Sequence, residues 1–405
     1  MKTSYFKDQT ALFLHTDPRS EYTGFLCERL GPLFRSARSF DYAEHAMKSG
    51  VPSTVRRVKE LSAAADVIFV FKYPTDFYLP PEFFADVEAK SKVIFWHGDD
   101  EIYFENCHRY YAQTASAMVT NDYSAVFAYR KLGIPAVFFH EARDEATFRP
   151  PEGVCRDIDV SFVGNCLKGG RRRYLDLLAA RGVAVQAFGR GTANGYLDQK
   201  QMANIFSRSR ISLNFTRIDE PDWISAGDPL HSRIRQSKGR PVEIVMGGAL
   251  CLSERAPFLG EMFDIGGEID IFDDERELAA KVDKYLADER LRGEMALAAH
   301  RRALKHYTAS ESIPDVLCEL EKIFAAAPAR LPSLPPVFLS AGFKSREING
   351  LTFTALALLS KGRFAAALST APSLFRRGLC AFAAGVWGGV TRSLKLVASR
   401  IGSAK

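Results

Sequence analysis

The chain has 405 residues, 47% hydrophobic and 25% charged, a length for two α/β domains plus an appendage and a composition that excludes a disordered chain. Its net charge of +6 is unevenly placed: residues 340–405 carry ten Lys/Arg against Glu347 alone, so residues 1–339 sum to +6 − 9 = −3. A mildly acidic body argues against a general nucleic-acid binder, and the basic tail needs a separate explanation.

The amino terminus, MKTSYFKDQTALFLH, has a short apolar run broken by His15 and followed by Asp17, so it reads as a first strand rather than a signal peptide. Further strands are expected at 66–71, 92–97, 117–121 and 136–140, with amphipathic helical stretches between them. A second series follows the turn-rich segment 145–157, with strands at 159–165, 184–189, 211–216, 249–254 and 269–272. This alternation predicts two doubly wound, Rossmann-like α/β domains, 1–150 and 151–325, facing a cleft, with ligands outside the carboxyl ends of the strands. The first βα turn, HTDPRSEYTG, lacks GxGxxG, which argues against a dehydrogenase. The seven cysteines show no CxxC and no pairing rhythm, as suits a reducing compartment, and the body is placed in the cytoplasm.

Residues 326–339 form a Pro-rich linker, and 340–405 read as two or three helices with basic punctuation. The longest uncharged run there, 378–391, falls short of the roughly 20 residues a membrane span needs. Helices lying on an anionic membrane surface are one reading, which a lipid-linked acceptor would explain. A helical hairpin packed on the acidic body is the other.

A diphosphate-bearing ligand needs fixed cations, a helix amino terminus and small residues that let the backbone approach. SFVGNCLKGGRRR supplies Gly164, Asn165, Gly169 and Gly170 between a strand and a helix, beside Lys168, Arg171, Arg172 and Arg173. Three arginines at a helix amino terminus oppose the macrodipole, which points to an anion partner. Further on, Lys238 and Arg240 precede Glu243, which lies three residues after Arg240 on one helical face, and the helix runs into Gly247-Gly248. Glu243 could accept hydrogen bonds from sugar or ribose hydroxyls, or it could form a plain surface pair with Arg240.

The stretch KGRPVEIVMGGALCLSERAPFLGEMFDIGGEIDIF resembles the donor-binding half of CgeB-like glycosyltransferases, relatives of the GT-B group 1 enzymes. The matching positions are Lys238, Arg240, Glu243, Ile244, Gly247, Gly248, Gly267 and Glu268, with DVSFVGN and SRSRISLNFT in the expected order and Gly189 ending a strand between them. The resemblance covers roughly residues 65–310 and is looser in the first half. It implies a GT-B fold, a nucleotide-sugar cosubstrate, a glycan or lipid-linked acceptor, and no metal or other cofactor. Retaining GT-B relatives often carry a second Glu eight residues before the one matching Glu243; Arg235 stands there in this chain.

The first domain is expected to hold the acceptor. Trp96–Glu101 follows a strand at its carboxyl end, where His97, Asp99 and Asp100 could supply a general base, or the acidic pair could cap the next helix. His15, Asp17 and Glu141 are further candidates, and a metal on His97 with Asp99 is the weaker alternative. Two rival functions remain on the same residues: a nucleotide-sugar epimerase, and a non-catalytic sugar-nucleotide-binding scaffold docked to membrane.

Overall fold

Strands of the amino-terminal half form a parallel sheet: β1 (Thr10–His15), β2 (Ser36–Asp41), β3 (Val67–Phe71), β4 (Lys92–His97), β5 (Ala117–Thr120) and β6 (Ala136–Phe138), in the order β2-β1-β3-β4-β5-β6. The computed structural model describes residues 5–16, 21–71, 78–150, 152–168, 170–218, 234–236, 238–326 and 339–402. Asp17, Gly169 and residues 327–338 of the Pro-rich stretch lie outside them. Every residue of β3 (VIFVF) is buried, as expected of a parallel strand covered on both faces. The sequence does not announce β2: SARSFD is an edge strand whose first four residues are exposed, so nothing selects an apolar run.

The second sheet is also parallel, with β7 (Ile158–Val163), β8 (Val185–Phe188), β9 (Ser209–Asn214), β10 (Leu250–Glu254) and β11 (Asp270–Phe272) in the order β11-β10-β9-β7-β8. Alternation along β10 sends Cys251 into one core, with Phe206, Val242 and Ala299, and sends Leu250 and Leu252 into another, with Tyr174 and Val282. Side chains start the flanking helices. Asp198 and Gln201 form a reciprocal capping box on helix Gln199–Arg208, and Asp274 and Asp288 cap helices Glu275–Ala287 and Glu289–His306.

The chain divides into two units, one of residues 1–120, 124–138 and 316–405, the other of residues 121–123 and 139–315. The long continuous stretch of the second unit begins at Phe139. Phe148 packs in its core, and Arg143 exchanges backbone hydrogen bonds with Tyr307 and Ala309. Helix Ala309–Ala326 carries the chain from the second unit back into the first.

The basic tail belongs to the first unit. Helices Ala341–Ser360 and Leu379–Gly402 lie against each other at close range, since a Cβ on Gly385 would sit 2.4 Å from the Ile348 Cβ. Glu347, fully buried, pairs with Arg376 at 2.7 Å and with Arg377, and Arg377 reaches Glu82 through two hydrogen bonds of 2.6 and 2.9 Å. The Thr370 hydroxyl accepts the Val51 amide, and Phe343 packs on Tyr110 with ring centroids 4.6 Å apart. The tail is thus a helical layer docked on the first unit. Its other face leaves large apolar side chains in solvent, among them Leu368 at 73%, Leu379 at 76% and Trp387 at 76%. Among the described residues no helix is long and apolar enough to cross a membrane.

Candidate functional site

The second unit holds a cavity of about 370 Å³ at the carboxyl ends of β7 and β9, where open α/β sheets collect ligands. Gly164 and Asn165 line it after β7, and Asn214, Phe215 and Thr216 line it from β9 and the turn beyond. Arg171 ties these two loops together, donating to the Asn165 carbonyl at 3.1 Å and to the Phe215 carbonyl at 3.3 Å. The described lining carries five cations (Arg143, Lys168, Arg171, Lys238 and Arg240) and one carboxylate, Glu243. That imbalance matches a ligand with about two or more negative charges, such as a diphosphate.

Four charges of alternating sign run along one wall. Arg143 lies 3.2 Å from Glu141 and 3.0 Å from Glu243, and Glu243 lies 2.6 Å from Arg240. The members are 8–30% exposed, so the Arg240–Glu243 pair lines a pocket rather than lying on an open surface. Glu141 holds a left-handed backbone, φ 86°, and accepts from the Asn121 amide at 2.8 Å. Such a conformation costs about 1–3 kcal/mol in a residue with a Cβ and persists only where the surroundings enforce it. Both oxygens of Glu243 already face guanidinium groups, so a sugar or ribose hydroxyl reaching it would share that carboxylate. Arg143 comes from a loop one hundred residues upstream of Glu243, and nothing in the spacing of the sequence links them.

A second buried carboxylate holds a turn that lines the cavity. Glu254, at the end of β10, accepts the backbone amides of Thr216 and Arg217, each at 2.9 Å, and so fixes the turn that leaves β9. The Arg217 and Arg235 guanidinium groups lie 3.4 and 3.9 Å from Glu254. Arg235, eight residues before Glu243, therefore faces an acid of this chain. The sequence hid Glu254 inside an apolar strand, ALCLSE.

Of the residues expected at a donor site, the structure brings Gly164, Asn165, Arg171, Lys238, Arg240 and Glu243 to the cavity, together with Lys168. Five others do not line it. Arg172 donates to the Gly191 carbonyl at 3.2 Å with its side chain 64% exposed. Gly189 backs onto the Gly164 carbonyl, Gly247 packs on Phe206, and Gly248 has φ 83° on the far side of helix Arg240–Met246. Glu268 accepts the Asp264 amide at 2.8 Å and pairs with Arg302 at 2.6 Å, closing its own turn.

In the first unit, the segment after β4 differs from its expected role. Asp99 sits at φ 66° without capping the helix that follows through its side chain, so the capping alternative is not what the acidic pair does. Asp100 is buried, accepting from His108 Nδ1 at 2.7 Å, from the Tyr129 hydroxyl at 2.6 Å, and from Thr120. Burial pushes its carboxyl above the ordinary range. His97, 3% exposed, lies against His108 with ring centroids 4.0 Å apart and the planes tilted by 38°. One ligand atom from each of His97, Asp100 and His108 falls within 4.8 Å, a metal-like grouping. The Asp100 oxygens are, however, already committed to three donors, so the group reads as a hydrogen-bonded core cluster. Asp99 and Glu101 are the carboxylates of this segment with solvent access.

Residues 137–317 match a family described as Glycosyl transferase-like. No curated protein sequence matches the chain. Among solved structures, Anabaena Alr3699/HepE in complex with UDP and glucose is similar over 79% of this chain and 100% of that one, at 12% identity and a TM-score of 0.57. Sucrose-phosphate synthase (tll1590) from Thermosynechococcus elongatus is similar over 79% of this chain and 100% of that one, at 10% identity and a TM-score of 0.57. A glycosyltransferase from Rickettsia africae ESF-5 is similar over 80% of this chain and 100% of that one, at 10% identity and a TM-score of 0.50. At such identities the likeness is one of fold, and the fold is GT-B: two Rossmann-like units with a helical carboxyl-terminal appendage.

Proposed function

We propose that this protein is a glycosyltransferase that takes a sugar from a UDP-sugar and passes it to a glycan or lipid-linked acceptor, without a metal or other cofactor. The observation that carries the reading is the cation-rich cavity at the carboxyl ends of β7 and β9, within the stretch that matches the glycosyl transferase-like family. Lys238, Arg240 and Arg171 hold the diphosphate as fixed charges that also stabilise the leaving UDP as negative charge develops on it. Glu243, held by Arg143 and Arg240, orients sugar or ribose hydroxyls. UDP is favoured over other nucleotides because HepE, of the same fold, has been solved with UDP-glucose. The acceptor hydroxyl must lose a proton as it attacks. Of the first unit's candidate bases, His97 and Asp100 are buried, and Asp99 keeps solvent access.

The test is UDP release from a panel of UDP-sugars, with and without an extract of lipid-linked and polysaccharide acceptors. Wild type is expected to release UDP from one donor in an acceptor-dependent way, and Glu243→Ala to lose at least 100-fold of that rate, about 2.7 kcal/mol. Epimerised UDP-sugar formed without any acceptor would replace this reading with an epimerase. Donor binding without turnover would replace it with a scaffold.

A peripheral position on the inner face of the membrane fits the tail. Its outward apolar side chains share one segment with Lys361, Arg363 and Arg392, a combination suited to an anionic lipid surface. Vesicles with phosphatidylserine are expected to float the wild-type protein, and Leu379→Ser/Trp387→Ser to cut flotation at least fivefold. Equal flotation of both proteins would rule this out.

A further inference from the structure

The second unit has another cavity, of about 300 Å³, at the opposite end of the same sheet. Arg156 precedes β7, Arg210 is the second residue of β9, and Gly248 precedes β10, so the cavity lies at the amino ends of these strands, away from the donor pocket. One face of helix Glu289–His306 completes it with Arg292, Ala296, Leu297 and His300. Three guanidinium groups therefore line one hollow, and among its described lining residues the acid is Glu289, whose side chain is 92% exposed.

The charges there are compensated only in part. Arg292 is 6% exposed; it donates to the Tyr285 carbonyl at 2.6 Å and comes no closer than 3.9 Å to Glu289. Arg156 donates to the Ser209 carbonyl at 2.6 Å, and a Cβ on Gly248 would meet its Nη2 at 2.9 Å. Arg210 holds Asp159 at the rim. Burial, and then the neighbouring Arg292 charge, lower the pKa of Arg156; burial lowers that of Arg292 most, Glu289 raises it and Arg210 lowers it, with Asp159 and Asp288 acting upward. Crowding three cations around a hollow costs free energy that an anion would recover. Leu297, Ala296 and Pro150 give the hollow an apolar side, which free phosphate would leave unused.

We infer that this cavity is a second anion site, separate from the donor pocket, that takes a phosphate group, with Arg156, Arg210 and Arg292 on its oxygens and an attached organic group against Leu297 and Pro150. It is physically linked to the donor pocket by helix Arg240–Met246, which bears Arg240 and Glu243 at one end, while His300 Nδ1 lies 3.1 Å from the Val245 carbonyl at the other. The site stands whether or not the donor pocket takes a UDP-sugar.

The test is calorimetric titration of the full chain with inorganic phosphate and with glucose 6-phosphate at constant ionic strength. Arg210→Gln, exposed and tolerant of change, and Arg156→Gln are each expected to weaken binding at least fivefold, with Arg240→Ala leaving it unchanged. Tighter binding of glucose 6-phosphate than of phosphate supports an ester as the ligand, and equal binding supports free phosphate. No binding of either probe at 10 mM (about ten times a millimolar dissociation constant) would overturn the inference. Binding lost in Arg240→Ala but kept in Arg210→Gln would overturn it too, by assigning the anion to the donor pocket.

Discussion

Replacing Arg143 with methionine is expected to cost about 3 kcal/mol of stability, because it leaves Glu141 and Glu243 without the cation they share. The three side chains are 8–13% exposed, so solvent compensates little. Glu243 retains Arg240, whereas Glu141 retains the Asn121 amide and a backbone at φ 86°. Neutralising Glu141 in the same chain, as Glu141→Gln with Arg143→Met, should restore at least about 1 kcal/mol, since the ion pair is then removed whole rather than broken on one side. Urea unfolding of the wild type, the two single variants and the double variant reads both effects. A loss below about 0.5 kcal/mol in Arg143→Met, the level of an exposed pair, would mean that the charged wall contributes nothing.

Gly189→Ala should be at least as damaging. Its φ of 111° is a backbone that side-chain-bearing residues rarely adopt, and the new Cβ would lie 2.2 Å from the Gly164 carbonyl oxygen. That neighbour is backbone, held by a 2.9 Å hydrogen bond from the Gly164 amide to the Phe188 carbonyl, so it cannot swing aside. Strain and overpacking together come to about 3 kcal/mol or more, and the Gly164–Asn165 wall of the cavity must move. Gly170→Ala provides the comparison. Gly170 has φ 64° with nothing within 4 Å of its Cβ position, so about 1 kcal/mol is expected and the pocket stays in place. Equal losses of stability and of UDP affinity in the two variants would contradict the assignment of Gly189 as the backing of that wall.

Much of the fold was legible because its strands are covered on both faces. Runs such as VIFVF and KVIFWH leave no other structure that buries them, whereas the edge strand SARSFD is exposed and carries no such mark. The cavity at the carboxyl ends of β7 and β9 was half legible. Lys238, Arg240 and Glu243 announce themselves as a local cluster, and the Gly164–Arg171 segment as a strand-to-helix turn among cations. Arg143 and Glu254 stayed hidden, since each acts through a fold-made contact, one beneath Gly239 and the other behind the β9 turn. Motif spacing also overreached. Gly189, Gly247 and Gly248 follow the expected pattern, yet the structure uses them for close packing and for a left-handed turn. Asp100 reads as a strand-end acid open to substrate; Tyr129 and His108, distant in sequence, fold over it.

The most direct measurement is calorimetric titration of UDP into the full chain, wild type against Lys238→Ala and Arg240→Ala. One-site binding, weakened at least tenfold in each variant (about 1.4 kcal/mol), is the result that a diphosphate held by these two cations predicts. Absence of UDP binding by the wild type, or binding that neither substitution alters, would contradict a nucleotide-sugar site in this cavity.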